Sequence, residues 1–416
     1  GLNQRPNFNQ GFPPAQGRPS FGQGGFSPAP PPKEEVELFP PGKRAFTIYH
    51  QLKYNSVRYK FYDDNVTDDS TYYGDELVDF RGVRNFIEFK KLENTFKLQT
   101  FKLGEKDTAG VQRQKDLIEV GLVHRLNFID QEPVDTNAIQ NLFLTGKVHF
   151  NPGERFKVRT YAHLGFLNNV GDFRLSGDLT FSLKKIGDVT IEAVNQLYAP
   201  SVIQTRFYNS KRLRWENDFN KTLETSIAGT YTLPQLNFSA TLRNQLITNY
   251  IYFDTLARPR QHGTPINVLQ IMLRKDFKFG PIHFNNLLVF QNISENVLRL
   301  PDFYSKHSLF AEGKIFKKVM LARLGLDVRF TTGYRADTYS PLVGQFHIQD
   351  GIELPVTPLV DAFFIFKIRT MRFFLKAENL LTPIVKKYYY QTAEYALPFG
   401  WSSGGLRFGL SWRLVD

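Results

Sequence analysis

The stretch GGLRFGLSWRLVD (residues 404–416) splits into two rows when every second residue is taken. Leu406, Phe408, Leu410, Trp412 and Leu414 fall on one side, and Arg407, Gly409, Ser411 and Arg413 on the other. A period of two is the signature of a strand with chemically distinct faces. The same pattern recurs upstream. In FRLSGDLTFSL (173–183), Phe173, Leu175, Leu179, Phe181 and Leu183 oppose Arg174, Ser176, Asp178, Thr180 and Ser182. MLARLGLDVRF (320–330) and LFLTGKVHF (142–150) repeat it, and no helical periodicity is sustained over three turns.

The bulk composition narrows the field. With 39 Phe and 19 Tyr but no Cys, the chain favours strands and excludes disulfides, thiolate metal sites and cysteine nucleophiles. No run approaches eighteen apolar residues, so no helix spans a membrane. The opening GLNQRPNFNQ carries no charged-then-apolar export signal. The net charge of +12 points to anionic lipid, an anion route or nucleic acid. Its basic residues are dispersed over strands and turns rather than gathered on one module, which argues against nucleic acid.

Residues 1–40, rich in Gly, Pro and Gln with spaced Phe, form a separate leader that builds no core. It reads as a disordered tail or as a docking or plug segment. Residues 41–416 read as one β domain. Connections alternate between short ones (151–154, 184–187, 233–235, 279–281, 317–318, 369–371) and mostly longer polar ones (62–82, 130–138, 199–210, 251–265, 292–305, 332–356, 382–403). Between them lie sixteen strands, within a range of 14–18: 45–61, 83–103, 115–129, 139–150, 155–167, 171–184, 187–198, 211–232, 235–250, 266–278, 282–291, 306–316, 319–331, 357–368, 372–381 and 404–415. An alternative register turns FIEFKKLENTFKLQTF (86–101) into a hairpin at Glu93-Asn94.

A soluble sandwich or multi-domain β protein is the competing reading. No inward row is apolar enough to supply a second core layer, and sixteen strands in one soluble sheet would leave edges exposed. An all-β, transmembrane, antiparallel up-and-down barrel resolves both problems, with short periplasmic turns, long extracellular loops and the Leu406 row in lipid. The bacterial outer membrane is the expected location, with outer-membrane lipids and lipopolysaccharide as partners.

The water-facing rows then hold the candidate functional residues: Lys147, His149, Lys157, Arg159, Arg174, Arg323, Arg329, Arg372, Lys376, Arg407 and Arg413, against few acids (Asp178, Asp327, Glu378). A positive excess between low-dielectric walls concentrates anions. The expected function is a passive, anion-preferring diffusion channel for small solutes. The alternatives are a lumen whose charges pair with acids or are covered by loops or the leader, and a non-conducting docking subunit that binds other envelope proteins through residues 1–40 and its loops. Enzymatic chemistry is not expected: no metal-spaced His motif or nucleophile elbow occurs, and no cofactor is implied. The acidic loop Asp63, Asp64, Asp68, Asp69, Asp75 and Glu76 is a weak cation candidate without the twelve-residue calcium-loop spacing.

From about residue 139 onward the chain resembles the putative porin family of Bacteroidota outer membranes. The resemblance rests on NLFLTGKVHF, NVGDFRLSGDL, LYAPSVIQTRFYNSKRLRWENDF, VLRLPDFYSKHSLF, DTYSPLVGQFHIQ and VDAFFIFKIRTMRFFLKAENL. It implies an outer-membrane barrel with a channel function and supplies no catalytic motif. The region before residue 80 is shorter and richer in Gly and Pro than the family pattern.

Overall fold

Alternating rows of apolar and polar residues produce, in the computed structural model, one antiparallel sheet of sixteen strands. The structure describes residues 44–64, 82–106, 112–153, 155–356, 358–381 and 405–413. The expected leader, the acidic residues Asp68, Asp69, Asp75 and Glu76, and the whole of the loop 382–403 lie outside the described residues. The strands are β1 (Arg44–Asp63), β2 (Val83–Lys106), β3 (Gln112–Gln131), β4 (Val134–Gly153), β5 (Phe156–Leu167), β6 (Phe173–Ser182), β7 (Asp188–Tyr198), β8 (Arg206–Asn209), β9 (Arg212–Glu216), β10 (Thr222–Leu233) and β11 (Phe238–Thr248). They continue with β12 (Ile251–Phe253), β13 (Pro259–Gln261), β14 (Ile266–Phe279), β15 (Ile282–Ile293), β16 (Phe303–Ile315), β17 (Met320–Thr331), β18 (Thr338–Ser340), β19 (Gln345–His347), β20 (Leu359–Ile368), β21 (Met371–Ala377) and β22 (Leu406–Trp412). Three pairs, β8–β9, β12–β13 and β18–β19, form separate small hairpins in the long connections; the other sixteen follow one another in chain order. Among the described residues no helix is long and apolar enough to cross a membrane.

Each expected strand has a counterpart, with three differences. The segment 83–106 is one continuous strand, paired with β1 from Arg44↔Lys102 to Asp63↔Val83, so no turn forms at Glu93-Asn94. The expected loop 130–138 shrinks to a turn at Glu132-Pro133, because β4 already starts at Val134. The expected strand 211–232 is two: β9 pairs with β8, and β10 begins at Thr222.

The chain divides into two units. The first comprises residues up to Pro152, Val158–Phe173 and Ala199–Asp218; the second comprises Gly153–Lys157, Arg174–Tyr198 and the chain from Phe219. In the first unit, β1–β4 are 20–24 residues long, about twice the nine to eleven that a bilayer crossing requires. The excess is visible on one face. Phe46, Ile48, Leu52 and Tyr54 of β1 are exposed apolar or aromatic side chains, and farther along that row Arg58 pairs with Glu88 at 2.9 Å. Lys90 joins Glu88 at 3.2 Å and Asp130 at 3.7 Å, marking the end of the apolar band.

In the second unit one face is again open and apolar, with Leu175, Ile191, Ile227, Leu242, Leu269, Leu324 and Leu410 all exposed. The polar face hides its charge instead; Arg323, Asp327 and Asp361 are 7%, 5% and 0% exposed. That inversion of the soluble rule, oil outside and charge inside, is what hydrocarbon solvent selects. On β22, Gly409 makes room for the opposite face's packing: a Cβ there would meet the Phe374 ring at 2.3 Å.

Candidate functional site

The polar face of β16–β22 carries a ladder of ion pairs. Antiparallel register sets Asp327 opposite Asp361, Glu378 follows the end of β21, and Lys376 faces Arg407. Asp361 accepts from Arg329 Nη2 at 2.8 Å and Lys376 Nζ at 2.9 Å, and from the Asn379 backbone N–H at 2.9 Å. Lys376 also reaches Glu378 at 3.2 Å, and Glu378 holds Arg407 Nε at 2.7 Å. One strand further back, Arg323 donates to Glu312, and its guanidinium lies 5.2 Å over the Phe310 ring. Arg323, Arg329, Lys376 and Arg407 are thus held by Glu312, Asp361 and Glu378, with the buried Asp327 beside them on the same face. At the buried Asp361 and Arg323 an unpaired charge would be costly, so the pairs there hold the cations in position.

A second chain crosses β6, β7, β10 and β11. Arg174 Nη1 donates to Gln196 Oε1 at 2.8 Å, Gln196 donates to Glu224, and Gln245 donates to the other oxygen of Glu224. In the first unit, Lys97 pairs with Glu119 at 3.0 Å, and Arg125 pairs with Glu93 at 2.7 Å while lying over the Phe143 ring.

The expected water-facing residues therefore fall into two groups. Arg323, Arg329, Lys376 and Arg407 are brought together in the ladder, and Arg174 enters the glutamine–glutamate chain. The others are not drawn into either. Lys147 and His149 stand half-buried on β4, Lys157 and Arg159 exposed on β5, Arg372 exposed on β21 opposite Lys367, and Arg413 exposed just past β22. The sequence reading missed Glu312 and Asp361. In VDAFFIFKI both rows of β20 are largely apolar, so alternation gives no sign of which way Asp361 points.

Two loop assemblies border the polar face. In the first unit the hairpin β8–β9, preceded by the short helix α1 (Val202–Thr205), packs on β2, and Gln131 at the end of β3 donates to the Tyr208 carbonyl at 2.9 Å. Phe207 stacks on Trp215 at 4.6 Å, and Trp215 Nε1 donates to the Ile203 carbonyl. The backbones of Ser210 and Arg84 are joined at 2.8 Å, and Glu132 binds both Arg84 (3.1 Å) and Lys211 (3.3 Å). Those cations, Arg84 first, hold the Glu132 carboxyl below its ordinary range. A cavity of about 270 Å³ lies beneath, lined by Gln131, Ile139, Val202, Tyr208 and Asn217 among others.

In the second unit, Tyr250, Ile293, Val297 and Leu298 cover the buried cluster Ile247, Ile266 and Val268. Arg299 donates to Asp350 at 2.7 Å and to the Gln349 carbonyl, tying the loop after β15 to the loop holding β18 and β19. Ile348 N–H bonds the Phe253 carbonyl at 3.0 Å, tying in the β12–β13 hairpin. Inside this cap, burial pushes the Asp337 carboxyl above its usual range, opposed by Arg299 and His347, and pushes the Tyr250 phenol up to about 12.

Among the described residues no three His, Asp or Glu side chains come together as a metal set. His163 is held by Tyr161 at 3.1 Å and edge-on to Phe143, as a packed polar residue.

No curated protein matches this chain. Solved structures similar to it include a mutant of the ferric enterobactin receptor PfeA from Pseudomonas aeruginosa, at 10% identity and TM-score 0.51 over 84% of this chain and 64% of that one. The FrpB iron transporter from Neisseria meningitidis matches at 11% identity and TM-score 0.54, over 84% of this chain and 59% of that one. The copper transporter OprC matches at 11% and 0.53, over 80% and 56%. This chain thus spans less than two thirds of the length of these barrels, and the likeness is one of fold. The family described as Putative porin matches residues 41–416. With its sixteen-stranded antiparallel sheet and outward apolar rows, the chain belongs to that family and is a β-barrel protein of the bacterial outer membrane.

Proposed function

We propose that the protein is a passive diffusion channel whose lining favours small anions. The observation that carries this reading is the ladder that fixes Arg323, Arg329, Lys376 and Arg407 on a face that, in an outer-membrane barrel, meets water. Arg329, Lys376 and Arg407 are held by hydrogen-bonded acids rather than left to wander, so their field is fixed in the path of a solute. Fixed cations along the path, in a chain of net charge +12, raise local anion concentration without binding any solute tightly enough to trap it. Family membership supports transport.

Purified protein in a planar bilayer under a potassium chloride gradient tests it. The expected reversal potential has the sign of chloride permeation and moves toward zero in the Arg329→Gln, Arg407→Gln double variant. Cation selectivity, or no conductance at all, would end this reading.

A second reading, a non-conducting barrel that docks other envelope proteins, draws support from the loop cap. Tyr250, Val297 and Leu298 bury apolar side chains where an open mouth would be wet, and ordered loops suit an interface. Native co-purification, repeated after deletion of residues 1–40, separates the two.

A further inference from the structure

The short turns of the second unit share a composition that turn geometry does not explain. Five of them, Leu183–Gly187, Pro234–Asn237, Gly280–Pro281, Phe316–Val319 and Arg369–Thr370, contain no acid; the connection before β5 carries Glu154. Tight turns between strands need positive φ, which Gly, Asn and Asp supply at least cost. Gly280 and Asn237 fit that rule, at φ 58° and 47°. Elsewhere the chain places Lys184 at 58°, Arg369 at 49°, and Phe316, Lys317 and Lys318 in succession at 52°, 54° and 70°. Three consecutive non-glycine residues in the left-handed region are strained, and strain that persists points to a use for those side chains.

What they present is consistent from turn to turn. Ile186, Phe279, Phe316 and Val319 are 66%, 66%, 73% and 60% exposed, beside the exposed cations Lys184, Lys185, Lys317 and Lys318. No carboxylate among the described residues pairs with these four lysines within 4 Å. The exposed apolar side chains continue the row that faces hydrocarbon, through Phe277 stacked on Phe279. Large apolar groups flanked by exposed lysines match a boundary where acyl chains give way to anionic headgroups.

We propose that the short turns of this barrel form a binding girdle for acidic glycerophospholipid headgroups, with Lys184, Lys185, Lys317 and Lys318 on the phosphates and Ile186, Phe316 and Val319 among the upper acyl carbons. In an outer-membrane barrel the short turns lie on the periplasmic side, so the lipid is that of the inner leaflet. The girdle anchors the barrel's depth and needs no contribution from the long loops. It is independent of whether the channel conducts.

Native mass spectrometry of the full-length detergent-solubilised protein, with phosphatidylglycerol and phosphatidylcholine as competing probes, tests the proposal. The expected result is retention of phosphatidylglycerol over phosphatidylcholine by about tenfold or more. That preference is expected to fall to near unity in the Lys184→Gln, Lys185→Gln, Lys317→Gln, Lys318→Gln variant. A control variant on the long-loop side, Arg258→Gln with Arg335→Gln, is expected to keep it. Heat-dependent gel mobility reports folding of each variant. Equal retention of the two lipids by the parent protein would overturn the proposal, as would an unchanged preference in the lysine variant. So would a finding that the lysine variant loses an acidic polypeptide while still retaining phosphatidylglycerol.

Discussion

Arg329 and Asp361 meet across neighbouring strands at 2.8 Å, and the carboxylate they share with Lys376 is closed to solvent, its side chain 1% exposed. A carboxylate placed between two cations fixes their positions and cancels part of their charge. Replacing it with an amide of the same shape separates those two roles. Asp361→Asn is expected to raise anion over cation permeability while lowering stability by about 2 kcal/mol. The loss is smaller than the 3–5 kcal/mol of a fully buried broken pair, because Arg329 and Lys376 keep some access to water. Reversal potentials and urea unfolding in lipid vesicles measure the two effects separately.

The cap of the second unit is expected to tighten on acidification. Burial raises the Asp337 carboxyl, so its charged form is the one the fold disfavours. That cost is absent below the ordinary aspartate pKa of about 3.9 and complete above the raised folded value, so stability grows as pH falls from neutral. Hydrogen exchange of residues 332–354 is expected to slow between pH 7 and pH 4 after correction for intrinsic rates. In Asp337→Asn that pH dependence disappears.

The hairpin of the first unit is expected to respond with the opposite sign. Glu132 is held low by Arg84 and Lys211, so its contribution is present above the ordinary glutamate pKa of about 4.3 and is lost as pH falls through the lower folded value. Protease cleavage within residues 206–216 is expected to increase below pH 4. Glu132→Gln is expected to show the acid level of cleavage already at pH 7.

Trp215 anchors the same hairpin by stacking on Phe207, which is 1% exposed, and by capping the Ile203 carbonyl. Trp215→Ala is expected to cost the hairpin about 2 kcal/mol, less than the roughly 3–5 kcal/mol of a fully buried aromatic because Trp215 is half-buried. The sixteen-stranded sheet is expected to survive, because β8 and β9 pair only with each other. Limited proteolysis reports the first effect and far-ultraviolet circular dichroism the second.

How much of this was legible depended on how cleanly a strand alternates. The rows of 142–150, 173–183, 320–330 and 406–412 each have one apolar side, and the structure exposes Leu144, Leu175, Leu324 and Leu410 as those rows require. Where both rows are apolar, as at 359–368, the inward position of Asp361 could not be read, and with it went the acid at the centre of the ladder. Nor could strand pairing beyond the sheet be read. The segment 211–232 alternates throughout, but Asn217 turns back to bond Gln204 and Thr205, and this breaks it into β9 and β10. Conversely, 130–138 looks polar enough for a long loop, yet Gln131 pairs with Val134 and leaves only a turn.

The Leu324 row meets oil and the Asp327 row meets water, and the absence of Cys makes that assignment directly measurable with single spin-labelled cysteines at Leu324, Leu410, Asp327 and Ser411 in lipid vesicles. Relaxation by oxygen, which concentrates in hydrocarbon, is expected to dominate at Leu324→Cys and Leu410→Cys. Relaxation by a water-soluble nickel chelate is expected to dominate at Asp327→Cys and Ser411→Cys. Nickel access at Leu324 and Leu410 equal to that at Ser411 would contradict it.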